Sequence, residues 1–170
     1  IASPTPSRLG GNNYAHGSAE TGTGNVNFLV PNIGTQVNAY LASLPTINSQ
    51  QLFVLYGGAN DFLGSQNNPG VPVNNLSSNI AALAARGATS FLVPNLPPLG
   101  LTPSHRGTAN EMRLNDLSVA FNASLEAELS RLENGLAINI YRLDTYSLLQ
   151  DAIANPALYG LTNVTEAAYN

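Results

Sequence analysis

No cysteine occurs in the 170 residues. That excludes disulfide cross-links and thiolate metal sites and leaves the redox compartment open, since a chain of this size can be stable without covalent staples. Lysine is missing as well. All six cations are arginines, and charged residues of both signs make up only 9% of the chain, against about a quarter in ordinary globular proteins. With ten acidic residues the formal charge is −4 and no three basic residues cluster, so the electrostatic footprint of a nucleic-acid binder is absent. No apolar run approaches the roughly 18 residues of a membrane-spanning helix. Carboxylates are sparse and the two histidines, His16 and His105, stand far apart, so no metal-ligand spacing is present and no metal site is expected. The chain opens on Ile1 without a charged-then-apolar leader, and any signal peptide is expected to lie outside it.

What is present describes a folded domain. Apolar residues supply 44% of the chain, and a length of this order buries roughly two thirds of the unfolded surface in one core. A single domain over residues 1–170 is therefore expected. The polar complement is built from amides and hydroxyls, with 22 asparagines and 25 serines and threonines, which suits a secreted or periplasmic protein. Asn75, Asn122 and Asn163 begin Asn-x-Ser/Thr sequons. Chance alone yields about three in such a composition, so they carry no argument for glycosylation.

Residues 1–27 are rich in Gly, Asn, Ser, Thr and Pro and read as loop, with a stretch at Asn13–Ala15 able to close a strand. Ile33, Val37, Leu41 and Leu44 recur at helical spacing until Pro45. Gln51–Tyr56 is a continuous apolar run ended by Gly57-Gly58, the pattern of a strand covered on both faces. Leu76, Ile80 and Leu83 form one helical face, with Gly87 placed as a C-terminal cap. Thr89–Val93 is the next strand, stopped by Pro94, and the proline-rich 95–103 segment is an irregular loop. The longest helix spans Ala109–Leu132 on the face of Leu114, Leu117, Phe121, Leu125 and Leu132. Ala137–Leu143 then reads as a strand and Tyr146–Ala154 as a helix before Pro156. Alternating strands and helices predict an α/β protein with a mostly parallel sheet and helices on both faces.

In such a sheet, ligands bind beyond the carboxyl ends of the strands. Three sequence positions qualify: Gly57-Gly58-Ala59-Asn60-Asp61, Pro94-Asn95 and Asp144. The first stands out. Paired glycines permit a tight turn, and Asn60 then offers amide donors at the crevice mouth, the equipment of an oxyanion hole. Against this, Asn60, Asp61 and Asp144 are also residue types that serve turns and helix caps.

Asn13-Tyr14-Ala15-His16-Gly17-Ser18-Ala19 with Thr21-Gly22, then Leu55-Tyr56-Gly57-Gly58-Ala59-Asn60-Asp61-Phe62, then Asn95-Leu96-Pro97-Pro98-Leu99-Gly100 resemble the GDSL esterases and lipases, the SGNH hydrolases, and among them the secreted lipase and phospholipase-like branch. Arg86-Gly87-Ala88, Phe121-Asn122 and the Asn155–Asn163 segment continue the resemblance in order, so that it covers essentially the whole chain. It implies a three-layer α/β/α fold with a flavodoxin-like sheet in the order 2-1-3-4-5, and hydrolysis of a small-molecule or lipid ester without a cofactor. A serine nucleophile, a histidine base and an aspartate three residues before it would carry the chemistry. The oxyanion would be held by the nucleophile's N–H, the Gly17 N–H and the Asn60 amide. Ser18 stands where a second glycine is usual and Pro98 where an aspartate is usual.

The nucleophile and its base are missing from these residues. There is no Gly-Asp-Ser-Leu, no serine has glycine two residues to either side, and the residues three before His16 and His105 are Asn13 and Thr102. Ser18 with His16 as base is disfavoured, because residues this near in sequence rarely reach the required geometry and no carboxylate orients the imidazole. His16 and His105 read better as solvated or packing residues. The resemblance sets the serine block upstream and the Asp/His block downstream. The chain is thus expected to be the middle of an enzyme, inactive and not natively folded alone, with a non-catalytic binding module on the same fold as the alternative.

Overall fold

The computed structural model describes residues 5–43, 47 and 50–166. After a 3-10 turn at Ser7–Leu9, a short hairpin of β1 (Asn25–Val26) and β2 (Val30–Pro31) leads into α1 (Ile33–Ser43). Then come β3 (Leu52–Val54), α2 (Ala59–Leu63), α3 (Gly70–Ala84), β4 (Ser90–Pro94) and a 3-10 turn at Leu99–Leu101. The long α4 (Glu111–Gly135), β5 (Asn139–Leu143) and α5 (Thr145–Ala154) follow, with a last 3-10 turn at Pro156–Tyr159. Strands β3, β4 and β5 form one sheet in that order, both pairings parallel, with Phe53, Phe91 and Ile140 in register. The α/β class and the parallel sheet expected from the strand and helix alternation are observed.

The core lies on one face of this sheet. Phe91 and Ile140 are buried there together with Ile33 and Val37 of α1, Leu76, Ile80 and Leu83 of α3, and Leu114, Phe121, Leu125, Leu129 and Leu132 of α4. The buried positions of α4 recur every three or four residues, which is why a 25-residue helix forms despite its polar remainder. Edge-to-face rings extend the packing, Tyr40 against Phe53 at 5.5 Å and Phe62 against Phe121 at 5.8 Å.

The opposite face departs from expectation. Leu52 and Val54 are 53% and 60% exposed and Tyr141 is 59% exposed, so the 51–56 run is apolar on both sides but covered on one. Apolar composition makes a strand able to be buried twice; whether it is depends on segments remote in sequence. Nor do residues 13–15 build a strand: Asn13 makes a single bridge to Pro6. Leu44 and Pro45, the expected end of the first helix, lie outside the described residues.

The irregular loop after β4 is held by polar side chains of α4. The Asn122 amide takes the Leu96 N–H and donates to the Leu96 carbonyl, both at 2.8 Å. Ser118 Oγ accepts from the Leu99 N–H at 3.2 Å and Asn115 Oδ1 from the Gly100 N–H at 2.9 Å. Residues spaced by three and four share one helix face, so this stripe satisfies a backbone that no strand partner satisfies.

Two carboxylates give the fold an acid limit. Glu128 is held down to about 2 from its ordinary 4.5, chiefly by the Arg131 guanidinium, with the Ser77 hydroxyl of α3 also donating to it. Asp144 is held down to about 2 from 3.8 by Ser147 and by the Asn95 amide. A carboxylate whose folded pKa lies below its unfolded value stabilises the fold above the unfolded value and loses that contribution as pH falls through the folded one. Urea unfolding of the full-length protein between pH 5 and pH 2 is therefore expected to show falling stability across about pH 4.5 to 2. Glu128→Gln should flatten that slope, and an unchanged slope would remove Glu128 as its source.

Candidate functional site

Beyond the carboxyl end of β3 the ladder continues for one residue, the Leu55 N–H donating to the Leu92 carbonyl at 3.1 Å. The chain then turns through Gly57 and Gly58. Gly58 has φ +115°, and a Cβ there would stand 2.9 Å from the Phe121 ring, so both the backbone and the packing demand glycine. This turn launches α2, whose first residues are Ala59, Asn60 and Asp61.

Both polar residues grip the 17–22 segment. Asn60, half-buried, donates its Nδ2 to the Ala19 carbonyl at 2.9 Å. An amide nitrogen carries two N–H groups, and this bond uses one. Asp61 is only 7% exposed. Its carboxylate accepts from Thr21 Oγ1 at 2.6 Å and from the Thr21 N–H at 3.1 and 3.3 Å. Burial pushes the Asp61 carboxyl above its ordinary value, opposed by the Thr21 hydrogen bonds. Asp61 is thus the loop brace that its residue type allowed, and Asp144 the helix cap, with its side chain accepting from the Ser147 N–H at the start of α5.

Gly17 lies exposed in a turn with Ser18. A Cβ at Gly17 would meet no atom within 4 Å, and its φ is not in the left-handed region. Ser18, in contrast, has φ +66°. That conformation explains why a glycine is at home there, and a serine holds it at a cost of order 1 kcal/mol. His16 is exposed and lines the same groove as Gly17.

This groove encloses about 830 Å³ along the free edge of β3, between the 12–17 segment, α1 and residues 51–56, and its walls include Gly17 but not Asn60. A smaller cavity of about 280 Å³ sits between α4 and the ends of β4 and β5, with Asn95, Arg142 and Asp144 in its wall. The second and third strand-end positions meet here: Asn95 Nδ2 donates to Asp144 Oδ1 at 2.8 Å, and Asn95 Oδ1 accepts from the Tyr146 N–H at 3.0 Å. Pro98 is fully buried. Sequence reasoning missed the partnership of Thr21 and Asn75 with Asp61, because its members are 40 and 54 positions apart and no local pattern links them.

A model of the GDSL-like lipase/acylhydrolase family matches residues 4–169. Among curated proteins, the chain is 36% identical over 126 residues to an uncharacterized protein in the trpE-trpG intergenic region of Pseudomonas putida, a match taking in 72% of this chain and 21% of that protein. It is 36% identical over 119 residues to Esterase EstA of Pseudomonas aeruginosa, 65% of this chain and 17% of the esterase. To the Arabidopsis thaliana GDSL esterase/lipase At1g71691 it is 28% identical over 136 residues, 68% of this chain and 35% of the plant protein. The chain therefore spans between about a sixth and about a third of these relatives.

Proposed function

We propose a carboxylic ester hydrolase working through a serine acyl-enzyme, and the premise is plain: the chain belongs to the GDSL-like lipase/acylhydrolase family. In this reading Gly17 and Asn60 are oxyanion-hole donors and the substrate is a small-molecule or lipid ester. The serine nucleophile and the Asp/His pair come from other parts of the polypeptide, since these residues hold neither a nucleophile elbow nor an aspartate three before a histidine. The observation that carries the reading is the 2.9 Å bond from the Asn60 amide to the Ala19 carbonyl. It ties the segment bearing Gly17 to the turn at the carboxyl end of β3, where ligands of parallel sheets bind.

The chemistry asks for neutral donors in just such a place. As the serine oxygen adds to the ester carbonyl, the carbonyl oxygen gains a full negative charge, and fixed N–H groups stabilise it more than they stabilise the ground state. Gly17 supports the role because nothing inside the described protein requires a glycine there, while a missing side chain leaves the N–H open to a ligand. Among the described residues no helix is long and apolar enough to cross a membrane. The amide- and hydroxyl-rich composition suits an exported enzyme.

Turnover of a series of 4-nitrophenyl esters tests the proposal. The full-length protein is expected to hydrolyse them with burst kinetics, and the 170-residue polypeptide alone to show no rate above background. A full-length protein without turnover points to the binding module, and a rate in the short polypeptide abolished by Ser18→Ala overturns the assignment of the nucleophile to other residues.

A further inference from the structure

Asp61 is a buried carboxylate that the proposed chemistry does not use, and its partners among the described residues are all uncharged. Burying an ionisable group without a counter-ion is unfavourable unless hydrogen bonds compensate. Here both carboxylate oxygens face donors of a single residue, Thr21, which is itself completely buried. The Thr21 hydroxyl, having donated to Asp61, accepts from Asn75 Nδ2 of α3 at 3.0 Å. The result is a directional chain from Asn75 through Thr21 to Asp61, running from the helix layer to the turn after β3.

Two residues earlier, Ala19 receives the Asn60 amide. Adjacent residues of α2 therefore hold the loop at positions 19 and 21, and two anchors fix both the position and the rotation of a short segment. Immediately before the first anchor stands Ser18 in its left-handed conformation. A strained turn persists only where its surroundings over-determine it. The segment so held is the one that presents Gly17.

We propose that Asp61, acting through Thr21 and Asn75, is the positioning residue that holds the Gly17 segment in register with Asn60. The inference rests on the oxyanion reading of Gly17 and Asn60 and adds to it a residue that touches no reacting atom. A carboxylate suits the task better than an amide. An asparagine at 61 offers one acceptor, and its NH2 group would face the Thr21 N–H that now lies 3.1 and 3.3 Å from the two carboxylate oxygens.

Kinetics of the full-length protein on a 4-nitrophenyl ester, with an alkylboronic acid as tetrahedral mimic, test this against Asn60→Ala as reference. Asp61→Asn is expected to lower kcat by about 10- to 100-fold with KM changed less than about threefold, since a misplacement of order 1 Å costs that much in rate. Boronic acid affinity should fall in parallel with kcat. Because Asp61→Asn can fail to fold, Thr21→Val and Thr21→Ser are measured beside it: the valine lacks the hydroxyl and should lose about tenfold in kcat, and the serine keeps it and should recover most of the rate. If Asn60→Ala slows the enzyme while Asp61→Asn and Thr21→Val leave kcat unchanged, the positioning role is overturned and the oxyanion reading stands. Equal impairment of Thr21→Ser and Thr21→Val, or a kcat loss that matches the loss of folded protein by thermal unfolding, also overturns it. An Asn60→Ala enzyme with unaltered kcat removes the oxyanion reading itself.

Discussion

Replacing Asn60 by alanine in the full-length protein is expected to lower kcat by about 10²- to 10³-fold, with KM nearly unchanged. The reason lies in when the charge appears. An ester carbonyl is a weak acceptor in the ground state, and a donor in a dry, fixed position makes its main contribution as the oxyanion forms. The same substitution removes the bond to the Ala19 carbonyl, a half-buried hydrogen bond contributing about 1 kcal/mol to stability. The two effects are separable: a structural asparagine loses melting temperature and activity together, and an oxyanion donor loses far more rate than stability. A folded Asn60→Ala variant with an unchanged rate would take Asn60 out of the mechanism, whatever its melting temperature.

Gly58→Ala is expected to destabilise the protein by about 2–5 kcal/mol. Two penalties combine. The alanine is forced into φ +115°, and its Cβ is driven to 2.9 Å from the ring of Phe121, a residue wholly buried in the core. The ring also packs edge-on against Phe62 of α2, so any relief by moving Phe121 disturbs the helix that carries Asn60 and Asp61. Gly17→Ala is the contrasting control. A methyl there meets nothing within 4 Å, and the change in stability should stay within about 0.5 kcal/mol. Denaturant unfolding of the two variants decides the matter, and equal stabilities would show that the Gly57-Gly58 turn is not under the constraint described.

The main elements were legible because apolar periodicity is a local property. Ile33 and Val37, Leu76 to Leu83 and Leu114 to Leu132 repeat at the helical period whatever they pack against, and the ends of α4 and α5 fell within a few residues of the expected ones. The strand ends were legible for the same reason, and with them the three places where a crevice could form. The hairpin of β1 and β2 was not. Strands of two residues have no period to detect, and their composition is that of a loop. Nor did composition mark α2, a five-residue helix too short to show a period, which follows directly on the Gly58 turn beside Phe121.

By itself, then, the order of apolar and turn-forming residues determined the α/β class, the parallel sheet and the position of Asn60 just beyond a strand, since each follows from spacings within a dozen neighbouring residues. Only the tertiary structure decided that the face of Leu52, Val54 and Tyr141 is open, that Asp61 is buried on Thr21 and that α4 holds the loop from Leu96 to Gly100. Each of these depends on which distant segment comes to lie against a given side chain. Burial and hydrogen-bond partnership belong to pairs of residues far apart in the chain, and no pattern within either segment encodes them.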